Sequence, residues 1–595
     1  MQPSNEQQVR VINPTGPLPG GLDSFERVMQ EGCCWVDKSL LIQDVLSCAK
    51  HIMLITRPRR FGKTINLSLL RAFFDNAAAV APMPDISGCF DKLLVSQHEQ
   101  IMRHRGRYPV IYLSFKDVKL PTWLQAYDKI KRMLRREMTR HHELRDFVNE
   151  GLEPDEQEVW QRLLRGEGTD NDWRESLKLM CKLLCLHHKQ RVWILLDEYD
   201  RPIHEAYVRS KQDGEDLQHI DSYYDQMIVF MRGFLGEALK GNDFLYRSVL
   251  TGILRVAKED IFSGINNLGV YGVLEDQFAA HFGFTPAEVR LVLQQRDLAH
   301  RADLVQQWYD GYCFGENLPV TLYNPWSVIS YLSNPTNLPK AYWVNTGGLD
   351  LLQRLTRKTK SQDREAMQTL LAGGTIEKDV SDSMPLRELE DWKSVLYSML
   401  LNSGYVTPVS VRDGILGRFV QLRIPNTEVR KVFQRLVTNW FADVPANALL
   451  AALRQGNPQE FARQLDCFAR TALSYFDIQP DEPEWVYHML LLGILSHVVD
   501  DYRVRSNRES GDGRCDIMLI PANLNLPGVI MEFKQASTQQ ELEQAAQEAL
   551  AQIRAKDYSA EFVDHPAKGI LQLGIGFSGK HTQVRHGFID GAELL

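Results

Sequence analysis

The strongest constraint on how this chain folds is an apolar run that leads through a basic loop into a helical pattern. Residues 52–56 read Ile-Met-Leu-Ile-Thr and residues 57–64 read Arg-Pro-Arg-Arg-Phe-Gly-Lys-Thr, after which apolar residues recur at 65, 67, 69 and 70. The order strand, loop, helix places the N–H groups and the positive dipole end of a helix start at the end of a strand, where they bind phosphate. The segment therefore predicts a phosphate-binding loop in an α/β domain.

The residue types inside this loop fit a nucleoside triphosphate bound with magnesium. Gly62 lets the backbone approach the phosphates, Lys63 supplies a cation to the outer phosphates, and Thr64 offers a hydroxyl to Mg²⁺. The first glycine of G-x-x-x-x-G-K-[ST] is absent, and its position holds the first of three arginines that we expect to add phosphate contacts: Arg57, Arg59 and Arg60. The alternative is a basic surface loop before a helix. The helix that follows, and the acidic motif described next, favour ATP and Mg²⁺ as cofactors.

A second motif, well downstream, supplies the acidic residues that such a site needs. Residues 192–198 read Val-Trp-Ile-Leu-Leu-Asp-Glu, an apolar strand that ends in two carboxylates. Asp197 would hold the metal through water, and Glu198 would polarise the attacking water. Thr251 ends a further apolar run and would read the γ-phosphate, and Arg255 would pair with phosphate oxygens. For these last two residues the alternative, a turn followed by a surface arginine, carries equal weight.

Apolar runs and helical patterns alternate from about residue 22 to residue 265, which predicts a doubly wound parallel sheet of the P-loop NTPase type. Four runs are the candidate strands: 51–56, 109–115, 192–196 and 248–251. The predicted organisation has a disordered N-terminus (1–21), a P-loop domain (22–270), a mostly helical middle region with a small mixed module (271–478) and a compact α/β domain (479–595).

Composition limits the location and the classes of partner. The 595 residues carry a net charge of −8, which excludes a chain that is basic throughout but leaves room for a local basic groove. Nine cysteines without a framework spacing fit free thiols in a reducing compartment. The N-terminus lacks the pattern of a signal peptide, and no apolar run approaches the roughly 18 residues that span a bilayer. We expect a cytoplasmic protein with no membrane partner.

The C-terminal domain carries a second set of polar residues at strand positions. Two segments read as neighbouring strands: 514–519 and 529–534. Alternation along the second strand places Glu532 and Lys534 on one face and Phe533 in the core. With Asp516 on the neighbouring strand, two carboxylates would hold one or two Mg²⁺ ions and Lys534 would orient or activate water, an arrangement that suits phosphodiester hydrolysis. The alternative, solvated charges at strand ends, is common for so short a pattern.

Short motifs recur over nearly the whole chain after about residue 22. They are Trp35-Val-Asp-Lys-Ser39, the loop 57–64, Tyr112-Leu-Ser-Phe115, Leu196-Asp-Glu-Tyr-Asp-Arg-Pro-Ile203, Thr251-Gly252, Ile261-Phe-Ser-Gly-Ile-Asn-Asn267, Trp308-Tyr-Asp-Gly-Tyr312, Tyr323-Asn-Pro-Trp-Ser327 and Ile424-Pro-Asn426. Together they resemble the AAA-ATPase-like family, whose members commonly carry a C-terminal PD-(D/E)XK nuclease domain. The resemblance implies a restriction-endonuclease-like α/β fold for residues 479–595. That family's loop also reads Arg-Pro-Arg-Arg-Phe-Gly-Lys-Thr, so the resemblance implies that the absent glycine is a family trait. It also implies that the nucleotide domain acts as a switch or assembly module.

The resemblance adds two residues to the C-terminal site. It implies that Glu484, at the start of a helix, is a helix-borne acidic residue that joins the metal site. Gln552 resembles the glutamine of a glutamine–tyrosine element found in nucleases of this superfamily, and it would touch the metal site or the substrate. The full set of catalytic candidates is Glu198 in the nucleotide domain with Glu484, Asp516, Glu532, Lys534 and Gln552 in the C-terminal domain.

Two other patterns allow both a binding and a structural interpretation. Cys181 and Cys185, followed by His187-His188, have a metal-compatible spacing, but core packing is the favoured interpretation for an apolar helix. Basic residues within 129–142 could bind phosphate, but a solvated helix face is favoured.

The patterns predict an ATP-binding protein with ATPase activity, coupled to an Mg²⁺-dependent nuclease domain. The expected partner is nucleic acid, with DNA preferred over RNA, and assembly into a homo-oligomer is a further expectation. The main alternative is a nucleotide-dependent switch or scaffold whose C-terminal domain binds nucleic acid or a partner without cleaving it. A motor that remodels nucleic acid is a third hypothesis, against which the chain has no recognisable helicase motif set.

Overall fold

The computed structural model of the protein describes residues 9–76, 87–216, 219, 221–254, 261–262, 264–265, 267–317, 319–335, 338–343, 366–367, 369–371, 373–380, 393–414, 417–440, 447–475, 487, 491, 494–495, 501–510, 513–522, 525–556, 562 and 569–590. The chain divides into two compact units, Met1–Leu351 with Ala372–Arg430, and Leu352–Leu371 with Lys431–Leu595. The predicted domain boundaries at residues 270 and 478 do not coincide with this division and stay predictions.

The first unit is built on a five-stranded parallel sheet. Its strands are β3 (Ile52–Thr56), β4 (Val110–Ser114), β5 (Val192–Asp197), β6 (Leu245–Gly252) and β7 (Leu268–Tyr271). They lie in the order β4-β5-β6-β3-β7, and every neighbouring pair is parallel. The side chains of β3 and β5 are buried along their whole length, as expected for strands covered on both faces. The predicted α/β class is confirmed, and the four apolar runs are the strands β3 to β6.

Helices connect and flank these strands. They are α1 (Phe25–Gln30), α2 (Leu40–Ser47), α3 (Lys63–Phe74), α4 (Glu99–Met102), α5 (Trp123–Arg140), α6 (Leu144–Gly151), α7 (Pro154–Arg165), α8 (Asp170–His188), α9 (Arg201–Gln212) and α10 (Tyr223–Leu239). Side-chain caps define several starts, as where Thr169 accepts the N–H of Asp172 ahead of α8. Cys181 of α8 is fully buried, and Arg140 of α5 pairs with Glu137. Within the described part of the chain, no helix is both long and apolar enough to cross a membrane.

The remainder of the first unit combines short helices with small antiparallel sheets. The helices are α11 (Pro286–Gln295), α12 (Ala302–Tyr309), α13 (Pro325–Leu332) and α14 (Lys393–Asn402), and α15 (Thr427–Trp440) begins in this unit. The strands are β1 (Val11–Ile12), β2 (Trp35–Val36), β8 (Tyr312–Phe314), β9 (Val320–Leu322), β10 (Ile376–Asp379), β11 (Thr407–Gly414) and β12 (Gly417–Arg423). β1 lies in the segment 1–21, which we predicted to be disordered, and it pairs with β2 because two apolar residues there meet the buried Trp35 and Val36.

The second unit contains a mixed five-stranded sheet. The strands are β13 (Tyr502–Ser510), β14 (Gly513–Pro521), β15 (Gly528–Gln535), β16 (Gly569–Ser578) and β17 (His581–Asp590), in sequence order, and the helices are α16 (Asn447–Gln455), α17 (Pro458–Tyr475) and α18 (Leu542–Ala555). β15 and β16 run parallel, with α18 in the crossover between them, and the other neighbouring pairs are antiparallel.

The two faces of this sheet pack against different helices. Three alternate residues of β15 point into a core that α16 and α17 line: Val529, Met531 and Phe533. Ile530 points to the opposite face, where it shares a core with Ile553 of α18. Because side chains alternate along a strand, Glu532 and Lys534 lie on the α18 face. As predicted, Phe533 points into the core, and Glu532 and Lys534 lie together on the other face of the strand.

Two glycines let α18 lie directly on the sheet. Gly574 is the register partner of Glu532, and Gly576 is the register partner of Lys534. A Cβ at Gly574 would lie 2.4 Å from the carbonyl oxygen of Ala546 and 2.4 Å from the amide nitrogen of Leu550. The absence of a side chain therefore sets how closely α18 approaches the polar end of β15.

We expect Gly574→Ala to destabilise the second unit by about 1–3 kcal/mol, because the added methyl group would meet helix backbone that cannot rotate away. Gly587→Ala is the matched control, since its Cβ would meet only the flexible ends of Gln572 and Arg554. Calorimetric unfolding of both variants measures the difference, and equal effects would contradict the close-approach explanation.

Candidate functional site

The loop 57–64 leads from β3 directly into the first turn of α3. Gly62 adopts φ 82°, a left-handed conformation that costs glycine little, and Arg60 has φ 68°. The ammonium of Lys63 donates to the carbonyl oxygens of Arg57 at 2.9 Å and Pro58 at 2.8 Å, so it lies beneath the loop rather than in solvent. Burial lowers its pKa, while the charges of Glu198 and Asp200 oppose that change. The loop thus surrounds a buried cation at the start of a helix.

Asp197, at the end of β5, gathers three hydroxyl groups. Its carboxylate accepts hydrogen bonds from Thr251 at 2.7 Å, Thr64 at 2.9 Å and Ser114 at 3.1 Å. The side chain is fully buried, and burial raises its pKa, with Thr251 opposing the rise. The structure therefore brings three predicted residues, Thr64, Asp197 and Thr251, within hydrogen-bond distance. Ser114 was missed, although its position at the end of β4 in the motif Tyr112–Phe115 was a usable signal.

The residues after Asp197 organise the neighbouring strand end. Asp200 is buried and accepts the backbone N–H groups of Ile253 and Leu254, both at 2.8 Å. A Cβ at Gly252 would lie 2.8 Å from Asp200, so the β6 turn needs glycine there. Asp200 therefore holds the segment that follows Thr251, a role that the sequence interpretation missed.

Positive charge collects around Glu198, which has φ 50°. Burial lowers the pKa of Arg59, and the nearby Arg201 lowers it further, while Glu198 raises it. Burial and then Arg201 likewise lower the pKa of Lys119. Arg201 and Lys119 were not among the sequence candidates, although Arg201 stands in the quoted motif 196–203. Arg59, Lys119 and Arg201 together give the loop a second set of cations beside Lys63.

Arg57 differs from its prediction as a phosphate ligand. Its guanidinium is fully buried and donates to the carbonyl oxygens of Tyr271 at 2.8 Å and Gly272 at 2.7 Å. It also lies over the rings of Phe282 and Phe314, at 5.5 and 5.2 Å from their centroids. These partners turn the side chain into the protein, because buried carbonyl groups at the end of β7 need donors. We therefore leave Arg57 out of the proposed phosphate contacts.

The other predicted nucleotide residues have mixed outcomes. Arg60 is exposed, and its guanidinium lies 4.2 Å from the ring centroid of Trp326. Arg255 lies outside the described residues.

We expect Arg57→Met to lower the free energy of unfolding by about 1–3 kcal/mol, because it leaves buried carbonyl groups without their donor. Arg60→Met, a matched change at an exposed residue of the same loop, should change stability far less. Chemical denaturation measures both. An Arg57→Met protein of unchanged stability but weakened ATP binding would restore the phosphate role.

In the second unit, the two predicted carboxylates lie side by side. The backbone N–H of Phe533 donates to Asp516 at 2.9 Å, and the backbone N–H of Asp516 donates to Glu532 at 3.3 Å. The side-chain amide of Gln552, on α18, also donates to Glu532. Burial and then the charge of Asp516 raise the pKa of Glu532 to about 8. Three elements, β14, β15 and α18, thus bring Asp516, Glu532 and Gln552 together.

Two lysines act on this acidic pair. Lys534 is partly buried on the same face of β15 as Glu532, and its charge opposes the rise in pKa of both carboxylates. Lys556, one helical turn after Gln552, acts in the same direction. The sequence interpretation missed Lys556, although a spacing of four residues from Gln552 on a helix was a usable signal. Glu484, the remaining predicted catalytic residue, lies outside the described residues.

The donor set fits a hard divalent cation. Mg²⁺ prefers carboxylate oxygens, and a cation between Asp516 and Glu532 would relieve the repulsion that raises the pKa of Glu532. Over the described ranges, no group of three or more His, Cys, Asp and Glu side chains could hold a metal by itself. Two carboxylates with water ligands are an ordinary set for Mg²⁺, which usually keeps several waters.

The stability of the metal-free protein should report the raised pKa of Glu532. The folded protein favours the neutral form of the Glu532 carboxyl group. The contribution of this group to the free energy of unfolding is therefore complete below its unfolded pKa of about 4.3 and is lost as the pH rises through about 8. In EDTA, the unfolding temperature of Glu532→Gln minus that of wild type should therefore increase as the pH rises from 5 to 9. Glu548→Gln, a change at an exposed residue of α18, is the control. A difference between Glu532→Gln and wild type that does not depend on pH would contradict this assignment.

Comparison with known proteins gives two segment matches. Residues 19–262 match the family described as "Predicted AAA-ATPase", and residues 482–587 match the PD-(D/E)XK nuclease superfamily. A similar chain is the "Uncharacterized protein in vnfD 5'region" of Azotobacter chroococcum mcd 1, 24% identical over 443 residues that cover 73% of this chain and 72% of that protein. The two matched segments contain the two sites described above, and they confirm the family resemblance seen in the sequence.

Proposed function

We propose that this chain, in which a predicted AAA-ATPase segment precedes a PD-(D/E)XK nuclease-superfamily segment, binds and hydrolyses ATP and cleaves nucleic acid in an Mg²⁺-dependent reaction. The substrate is nucleic acid, with DNA the first choice. The observation that carries the proposal is the convergence of Asp516 and the amide of Gln552 on the buried carboxyl group of Glu532.

In the nucleotide site, Lys63 and the helix start at Thr64 bind the outer phosphates, with Gly62 allowing close approach. Thr64 and Asp197 hold Mg²⁺, and their 2.9 Å hydrogen bond supports a shared site. Glu198 polarises the attacking water, and Thr251 senses the γ-phosphate through the carboxylate that it shares with Thr64. The remaining phosphate contacts are assigned to arginines: Arg59, Arg60 and Arg255.

In the nuclease site, Asp516 and Glu532 hold Mg²⁺, joined by Glu484. The ion, when bound, stabilises the charge that develops on the attacking and leaving oxygens. Lys534 orients or activates the attacking water from the same face as Glu532. Gln552 positions Glu532 through its amide, and the burial of Glu532 favours a bound cation over a bare carboxylate.

A nuclease assay on single- and double-stranded DNA and RNA, with Mg²⁺ or Mn²⁺ and with or without ATP, tests both halves. We expect Lys534→Ala to lose cleavage by about 100-fold or more, the size of a general acid–base contribution, and to retain ATP binding. Lys63→Ala should lose ATP binding by a similar factor, because it removes the cation that we assign to the outer phosphates. Equilibrium titration with a fluorescent ATP analogue measures that binding.

Two matched lysine changes serve as controls. Lys580 lies in the turn between β16 and β17, and Lys50 is an exposed residue just before β3. Neither Lys580→Ala nor Lys50→Ala should therefore alter cleavage or ATP binding. Failure of wild-type protein to cut any of these substrates would overturn the nuclease half. ATP-dependent oligomers and nucleic-acid binding that are unchanged in Glu532→Ala would instead establish the switch or scaffold alternative.

A further inference from the structure

The phosphate loop is enclosed by residues that lie beyond the matched segment 19–262. The ring of Phe61 packs against Tyr312 at 4.9 Å and Phe314 at 5.3 Å between centroids. Arg60 lies over Trp326, and the side chain of Pro58 lies against Gly404. We call the residues that enclose the loop the brace: Tyr312, Phe314, Asn324, Trp326, Trp343 and Gly404. Consecutive parts of the loop from Pro58 to Phe61 therefore each have a partner in the brace.

Two side chains of the brace point at one carbonyl group of the loop. The indole N–H of Trp343 and the amide of Asn324 donate to the carbonyl oxygen of Arg59, at 3.4 and 3.5 Å. Because the peptide bond is planar and trans, this carbonyl and the N–H of Arg60 point in opposite directions. Holding the carbonyl therefore fixes the direction of that N–H, and N–H directions are what a phosphate loop uses to bind anions.

A buried carboxylate holds this part of the brace. Glu428 is fully buried and accepts the backbone N–H of Trp343 at 2.8 Å and the hydroxyl of Ser327 at 2.7 Å. Asn324 in turn caps α13 by accepting the N–H of Ser327 at 3.2 Å. Burial raises the pKa of Glu428 to about 7, so a glutamine in its place would be close in shape and charge to its protonated form. Glu428 thus connects the two side chains that donate to the carbonyl oxygen of Arg59: it binds Trp343 directly and Asn324 through Ser327.

We propose that the brace, held by Glu428, positions the phosphate loop, so that residues beyond the matched segment 19–262 set its affinity for nucleotide. Trp343, Asn324 and Glu428 are then positioning residues that act through Arg59. The proposal rests on nucleotide binding at this loop as described under Proposed function. It explains why a loop without the first glycine can hold one conformation: its neighbours determine that conformation from outside.

Two glycines provide a matched pair for the test. Gly404 has φ 84°, and a Cβ there would lie 2.9 Å from the Cβ of Pro58. Gly373, in the same unit, has φ 89°, and its Cβ would approach only the end of the Arg430 side chain, at 3.4 Å. Alanine at either position carries the same backbone strain, but Gly404→Ala alone pushes on the phosphate loop.

The experiment measures the Kd of Mg·ATP by calorimetric titration and the hydrogen exchange of the amides of residues 59–64, in the full-length chain. We expect Gly404→Ala and Trp343→Phe to raise the Kd about fivefold or more, the equivalent of roughly one lost hydrogen bond, and to speed the exchange of these amides. Glu428→Ala should do the same, and Glu428→Gln should recover most of the wild-type affinity. Gly373→Ala and Trp173→Phe, the second of which removes an indole N–H that donates to the carbonyl oxygen of Gly168, should leave both measurements unchanged.

The outcomes separate this inference from the proposed function. If wild type binds Mg·ATP and Lys63→Ala does not, but Gly404→Ala and Trp343→Phe match their controls, the brace has no positioning role. If wild type binds no nucleotide, the proposed function fails together with the effect on affinity, and hydrogen exchange alone decides whether the brace positions the loop. Unchanged exchange of residues 59–64 in Gly404→Ala would overturn the brace whatever the nucleotide result.

Discussion

The fully buried carboxylate of Asp197 ties together the end of the central sheet in the first unit. A carboxylate at this depth is costly unless hydrogen bonds replace its water, and three hydroxyl groups do so. The donors come from the end of β4, the end of β6 and the start of α3. One interaction therefore fixes the edge where parallel strands end, which is where open α/β sheets bind their ligands.

Two further buried charges complete this edge by satisfying backbone groups. Asp200 accepts two N–H groups of the turn after β6, and Arg57 donates to carbonyl groups at the end of β7. The carboxylate of Asp200 accepts hydrogen bonds from backbone N–H groups, and the guanidinium of Arg57 donates hydrogen bonds to backbone C=O groups. Each charged side chain thus satisfies backbone groups of the opposite partial charge. The loop 57–64 follows β3, which lies between β6 and β7 in the sheet, and the brace residues contact this loop.

The second unit places two carboxyl groups where they repel each other when both are ionised. Glu532 is buried beside the partly buried Asp516, and burial and then the charge of Asp516 raise the pKa of Glu532. Such an arrangement lowers the stability of the metal-free protein and is typical of a site organised for a cation rather than for the fold. The glycines of β16 make it possible, because they let α18 approach closely enough for Gln552 to reach Glu532. The same residues, Asp516, Glu532 and Gln552, therefore affect both the stability of the second unit and the proposed chemistry.

The amino-acid sequence by itself determined the fold class, the strands β3 to β6 and the faces of β15, because apolar runs and two-residue alternation are local properties. It also pointed to Thr64, Asp197 and Thr251, which stand at strand or helix ends. Only the tertiary structure decided which partners each polar residue has. Arg57 looked like a phosphate ligand from its place in the loop, yet carbonyl groups and aromatic rings far along the chain hold it inside. The same reason hid the brace, because its partners are distant in sequence and local pattern carries no information on which distant groups will meet.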